Sequence, residues 1–293
     1  MTEFQTASRL TIGRSLVQFH IVDFNQPLVI SFAPAGKKLS SAQVHAGESA
    51  WGIEFFKKHN INVLSINTID ENHFYLCDEL THYLLSMKPL IERFPERLGY
   101  GSSMGGFGVT HFSQLLQIDR ALLFAPLLHD SAPTVAANHP CQFTVIYDPF
   151  CLQDTDHAKR YPAHTQWLKL YGVGHQVIES ISNFRALKPL VMAFINNTID
   201  EPTFYQAMRQ RRTIERYYSY LARNPTKKQT LKRRLLVKYH LLKWIVAEPS
   251  SLVNKLTGKW MKSINKRMQK RQARKQPVVT FSHESKTLSH ESK

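Results

Sequence analysis

The run Arg97-Leu98-Gly99-Tyr100-Gly101-Ser102-Ser103-Met104-Gly105-Gly106-Phe107-Gly108 constrains this chain more than any other stretch, because it places one serine, Ser103, inside Gly-x-Ser-x-Gly. Glycines at 101 and 105 leave no β-carbon where a strand must turn into a helix within two residues. Such a turn lifts the serine hydroxyl to the rim of a sheet. It also aims the Met104 amide and the positive end of the next helix at whatever Ser103 attacks. The flanks agree with this reading. Residues 96–100 suit a short buried strand, and Phe107, Val109, Phe112, Leu115 and Leu116 can line one side of a helix. A flexible Gly/Ser loop needs neither flank.

As it stands at residues 101–106, Gly-Ser-Ser-Met-Gly-Gly resembles the nucleophile elbow of the α/β-hydrolase family. The resemblance implies a doubly wound, mostly parallel α/β sheet and a triad in the chain order serine, acid, histidine. The rest of the pattern is compatible with that order. Residues 15–22 alternate in part like a half-buried strand, and 27–32 form an apolar run of the kind a central parallel strand needs. That run breaks at Ala33-Pro34-Ala35-Gly36, and by the resemblance the backbone of Phe32 or Ala33 supplies a second oxyanion-hole amide beside that of Met104.

Further on, residues 48–58 read as an amphipathic helix and 61–66 as a strand, after which Asn67 is either a polar side chain at the ligand-facing rim or a turn residue. A helix over 78–88 is expected to stop at Pro89. Strands follow at 121–125, 143–147 and 167–171. Only 126–140 separate the first two of these, too few residues for a large lid, so an open site for a bulky or polymeric substrate is expected. Residues 177–197 close the domain as a helix that Pro189 kinks or splits.

A serine at its own pKa is a weak nucleophile, so it needs a base, and the base needs a third group to fix its tautomer. His175, in a Gly-Val-Gly-His loop after the last strand, is placed to be that base. The acid has two candidates. Asp148 directly follows its strand and is the first choice; Asp154 is the alternative, and Asp154 and Asp156 also suit helix capping near residue 157.

The formal net charge of +16 is unevenly placed: residues 201–293 hold 23 Lys/Arg against 5 Asp/Glu, leaving residues 1–200 slightly acidic. We therefore expect a hydrolase domain over 1–200, a basic helical extension over 201–281 and a tail over 282–293 with the character of disorder, where Ser-His-Glu-Ser-Lys occurs twice. In the extension, Leu252, Leu256, Trp260, Ile264 and Met268 recur every four residues among lysines and arginines. This stripe suits an anionic membrane surface, an acidic protein or the hydrolase core itself. Nucleic acid is favoured by charge alone and by no motif. The three cysteines show no metal spacing, and neither a metal nor a cofactor is expected. A start without a basic end and apolar run, and no bilayer-length apolar stretch, lead to the expectation of a cytoplasmic protein, peripheral at a membrane at most.

The chemistry implied by the resemblance is that of a serine hydrolase, an esterase or deacylase acting on an ester or acylated substrate through an acyl-serine. The other class of function open to the same residues is a binding or assembly protein that keeps the fold without turnover and works through its basic extension.

Overall fold

The computed structural model describes residues 7–130, 134–213, 217–218, 222 and 230–247. The residue 252–268 stripe and the residue 282–293 tail lie outside the described residues. Eight strands form one sheet: β1 (Ala7–Ile12), β2 (Ser15–His20), β3 (Leu28–Phe32), β4 (Asn62–Thr68), β5 (Arg97–Ser102), β6 (Arg120–Phe124), β7 (Gln142–Tyr147) and β8 (Gln166–Lys169). Their order is β1-β2-β4-β3-β5-β6-β7-β8. β1 and β2 pair antiparallel, β2 runs antiparallel to β4, and every pairing from β4 to β8 is parallel. This is the α/β-hydrolase fold.

The parallel strands are buried on both faces, which is why β3, β4 and β6 are buried at every residue. Alternation along a strand then divides the core in two. Leu28, Ile30 and Phe32 of β3 face a cluster with Leu80 and Leu84 of α3 (Asp78–Ile91) and Val109 and Phe112 of α4 (Met104–Phe112). Val29 faces the opposite cluster, with Ile53 and Phe56 of α2 (Ile53–Lys58), Val177 and Ile181 of α6 (Val177–Asn183), and Val191 and Phe194 of α7 (Leu187–Ile195). Short helices α1 (Ser41–His45) and α5 (Leu152–Ala158) sit in the connections after β3 and β7.

Three expected boundaries move. α3 continues through Pro89 to Ile91, since Leu90 and Ile91 are buried and the one hydrogen bond Pro89 forgoes is to the carbonyl of the exposed Leu85. The final helical stretch splits between α6 and α7, and Pro189 falls in the first turn of α7, where a missing N–H costs nothing. The core also runs past residue 200. In α8 (Glu201–Met208), capped by the Asp200 side chain on the Thr203 amide at 2.8 Å, Phe204 and Met208 are buried in the α6/α7 cluster.

By internal contacts the chain forms two compact units, residues 1–237 and 238–293. The first contains the sheet and its helices, together with a small cluster in which Tyr217 and Val237 are buried and Phe150 packs against them. Of the second, the described residues are 238–247, the C-terminal part of helix α9 (Leu231–Ala247).

Candidate active site

β5 ends at Ser102, α4 begins at Met104, and Ser103 alone makes the turn, with φ 54° and ψ −123°. A non-glycine residue holds such a conformation only where its surroundings fix it. Here they do. The Ser103 amide donates to the Phe124 carbonyl at 2.9 Å, and its own carbonyl accepts from Gly106 at 2.9 Å and Leu127 at 3.0 Å. The glycines are sterically required. A β-carbon on Gly101 would meet the Gly105 carbonyl oxygen at 2.5 Å, and one on Gly105 would overlap the carbonyl oxygen of Phe32. The elbow is thus wedged against the end of β3.

His175 Nε2 lies 2.9 Å from Ser103 Oγ, and His175 Nδ1 lies 2.7 Å from Asp154 Oδ1. The serine, histidine and carboxylate therefore form a continuous chain of hydrogen bonds, with the Nδ1 proton donated to Asp154 and Nε2 open to accept from the serine hydroxyl. Asp154 is fully buried and sits in the first turn of α5, whereas the His175 side chain keeps 37% of its surface in solvent. The Asp154 hydrogen bond raises the His175 pKa above its ordinary value; burial opposes this, and the charges of Asp154 and Glu179 add to the rise.

The preference for Asp148 is corrected by this geometry. Asp148 is completely buried beneath the histidine loop, not beside the imidazole. Its Oδ2 accepts the amides of Gly172, Val173 and Gly174 at 2.9, 2.8 and 2.6 Å, and its Oδ1 accepts that of Phe150 at 2.9 Å. Burial pushes its carboxyl pKa up, with the four amides pulling the other way. Gly172 and Gly174 adopt φ of 84° and 65°, which turns successive N–H groups toward one point and creates a demand for an anion there. Asp148 meets that demand and fixes the three residues that lead into His175. The signal in the sequence was the Gly-Val-Gly run, whose converging amides require an acceptor. Asp156 also differs from expectation: it lies inside α5 rather than at a cap, paired with Lys159 at 3.0 Å.

Of the three residues expected to supply oxyanion-hole amides, Met104 is the first residue of α4, so its N–H has no partner within the helix. Ala33 is unsuited, because its amide already donates to the Ile66 carbonyl at 3.0 Å while its carbonyl accepts from the Tyr75 hydroxyl at 2.5 Å. Phe32 is the last residue of β3, paired with Ile66 on one side and Gly101 on the other. Pro34 has no amide, and the next along the chain belong to Ala35 and Gly36 in the short turn Ala35–Lys37. The end of β4 is braced instead of open. Asn67 is buried, its Oδ1 accepting the Trp51 amide and its Nδ2 donating to the Lys37 carbonyl, both at 2.7 Å. It is neither a ligand at the rim nor a turn residue; it ties two loops together.

The β6–β7 connection runs from 125 to 141 and carries no helix among its described residues. Ser103 is half-buried rather than enclosed. A cavity of about 770 Å³ lies between α2 and α6, with walls that include Trp51, Phe55, Tyr100 and Ile178. Neither Ser103 nor His175 lines it; Glu179, whose charge acts on His175, does.

A second serine–histidine contact, Ser113 Oγ to His139 Nε2 at 3.0 Å, is structural. The Cys141 amide donates to His139 Nδ1 at 3.1 Å, so Nε2 carries the proton and cannot act as a base toward Ser113.

No protein-family model and no curated protein matches this sequence. Solved structures do. A chain of the Glycosylation Associate Protein complex from Streptococcus agalactiae is 13% identical with a TM-score of 0.46 over 64% of this chain, which spans 46% of that one. The capsule O-acetyltransferase of Neisseria meningitidis serogroup A, bound to CoA, is 12% identical with a TM-score of 0.46 over 64% of this chain and 94% of its own. An alpha-beta serine hydrolase homologue from Coxiella burnetii is 10% identical with a TM-score of 0.42 over 68% and 99%.

Proposed function

We propose that this chain is a serine hydrolase, an esterase or deacylase that works through an acyl-serine intermediate. The observation that carries the proposal is the continuous hydrogen-bonded chain from Ser103 Oγ through His175 to the buried Asp154. In the first half-reaction His175 Nε2 takes the hydroxyl proton as Ser103 Oγ bonds to the acyl carbon. The proton then passes to the leaving alcohol as the ester bond breaks. In the second, His175 deprotonates water as it attacks the acyl carbon, and the proton returns to Ser103 Oγ as the acyl–Oγ bond breaks and the acid leaves. The Met104 amide and the N-terminal end of α4 stabilise the oxyanion in both halves. Asp154 keeps the imidazole in the productive tautomer and balances the imidazolium that forms. Asp148 acts at one remove, as the positioning residue for the loop that carries His175.

A fluorophosphonate probe tests this reading directly. Covalent labelling of the full chain that is lost in Ser103→Ala supports the proposal. A folded protein that takes up no label sinks it and favours the binding or assembly role.

The pH dependence of labelling is a further expectation. Because the base must be neutral, the rate should rise with pH as His175 loses its proton. Since its pKa is raised, the inflection should lie above the ordinary histidine value of about 6.5. Asp154→Asn removes the main cause of the rise and should bring the inflection down. An inflection that stays in place in this variant would show that Asp154 does not act on His175.

A further inference from the structure

Helix α9 presents its side chains in an ordered way. At roughly 100° per residue, Leu231, Leu235, Tyr239, Leu242 and Val246 fall within an arc of roughly 80°. All five are between 60% and 79% exposed. Val237, on the far side of the helix, is buried with Tyr217. The helix thus spends one face on packing and turns a narrow apolar stripe to solvent. The charges follow the stripe. Lys232 and Lys243 border it on one side and Lys238 and Arg234 on the other, all four exposed, and residues 231–247 hold no Asp or Glu. Leu236, also exposed, lies beyond Lys232 and Lys243.

We propose that α9 is an interfacial helix that lies flat on an anionic lipid surface, with the stripe 231/235/239/242/246 in the acyl boundary and the flanking lysines and arginine at the headgroups. Three features select this occupant. A docking site for an apolar groove needs the stripe but not a cationic border on both sides, whereas a lipid interface uses both at once. Nucleic acid would use the cations but gains nothing from five exposed aliphatic and aromatic side chains at helical spacing. Finally, no helix among the described residues is long and apolar enough to cross a membrane, so the helix rests on the surface. This inference concerns the basic extension and does not depend on the hydrolase reading.

The test is flotation of the full chain with vesicles of phosphatidylcholine alone or with about one-third phosphatidylglycerol. The expected result is binding to the anionic vesicles, little to the neutral ones, and a steep loss as salt is raised from about 50 to about 300 mM. The double variant Leu235→Glu/Leu242→Glu should weaken binding at least tenfold. Both positions are exposed, so its melting temperature and Ser103 labelling should match those of the parent chain. A second variant, Lys232→Glu/Lys243→Glu, should weaken binding to anionic vesicles while leaving the apolar stripe whole. Equal binding to neutral vesicles, or binding that survives the Leu235/Leu242 change, overturns the proposal and in the second case moves the contact to residues 251–293. Sedimentation velocity provides the remaining check. A dimer that the Leu235/Leu242 variant dissolves would make a second copy of this chain the occupant and would overturn the lipid assignment.

Discussion

Ser103→Ala is expected to reduce the hydrolysis of short acyl esters by on the order of 10⁶-fold while leaving the melting temperature nearly unchanged. The size of the loss follows from the role. The neighbouring hydroxyl, Ser102, is buried, and it is Ser103 that His175 Nε2 contacts, so the residual rate should come from bound substrate and oxyanion donors. The fold is spared because the side chain is half-buried at the rim, and the strained backbone at 103 is held by the amide and carbonyl bonds to Phe124, Gly106 and Leu127. Relief of a non-glycine φ of 54° is not available to alanine either, so stability should neither rise nor fall by much. Kinetic assay on a chromogenic acetate and thermal melting of the same preparation measure both quantities. Activity that persists in the alanine variant would remove Ser103 from the mechanism.

The second large effect separates the two buried aspartates. Asp154→Asn keeps the shape of the side chain but lets an amide face Nδ1 of His175, which favours the wrong tautomer. We expect a loss of roughly 10⁴-fold in kcat with a small change in Tm. Asp148→Asn should behave differently. Its carboxylate accepts three converging amides, and an Asn there brings two more donors into a site already filled with donors. Leaving buried donors unpaired costs about 1–3 kcal/mol each, so a Tm fall of roughly 5–10 °C is expected, with activity lost through displacement of His175. The diagnostic is the split: Asp154→Asn impairs turnover in a stable protein, whereas Asp148→Asn impairs both together. Two stable variants with equal kinetic defects would contradict the separate roles.

Much of this architecture is legible in the amino-acid sequence. The apolar runs ending at Phe32, Phe124 and Tyr147 mark parallel strands because strands covered on both faces must be apolar throughout, a property carried by local sequence. Gly101, Ser103 and Gly105 mark the elbow because only that residue pattern survives such close packing, now seen as the overlap a β-carbon on Gly105 would have with Phe32. His175 was legible for a similar reason: it follows the last strand, and strand ends in a parallel sheet share one rim.

Tertiary structure decided what depended on where a side chain turns after its backbone is placed. Asp148 and Asp154 stand six residues apart on the same connection, and strand position alone favoured the first. The choice between them was made by the loop at 172–174, remote in sequence, whose amides claim Asp148 and leave the first turn of α5 to bring Asp154 to His175. Ala33 was lost as an oxyanion donor in the same way, to a carbonyl on β4 that no local pattern reveals. Phe204 and Met208, beyond residue 200, find a place in the α6/α7 core, a matter of tertiary packing that a count of lysines and arginines does not register. Local sequence thus determined which residues could turn, pair or attack; long-range hydrogen bonds and packing decided which of the chemically equivalent groups were already engaged.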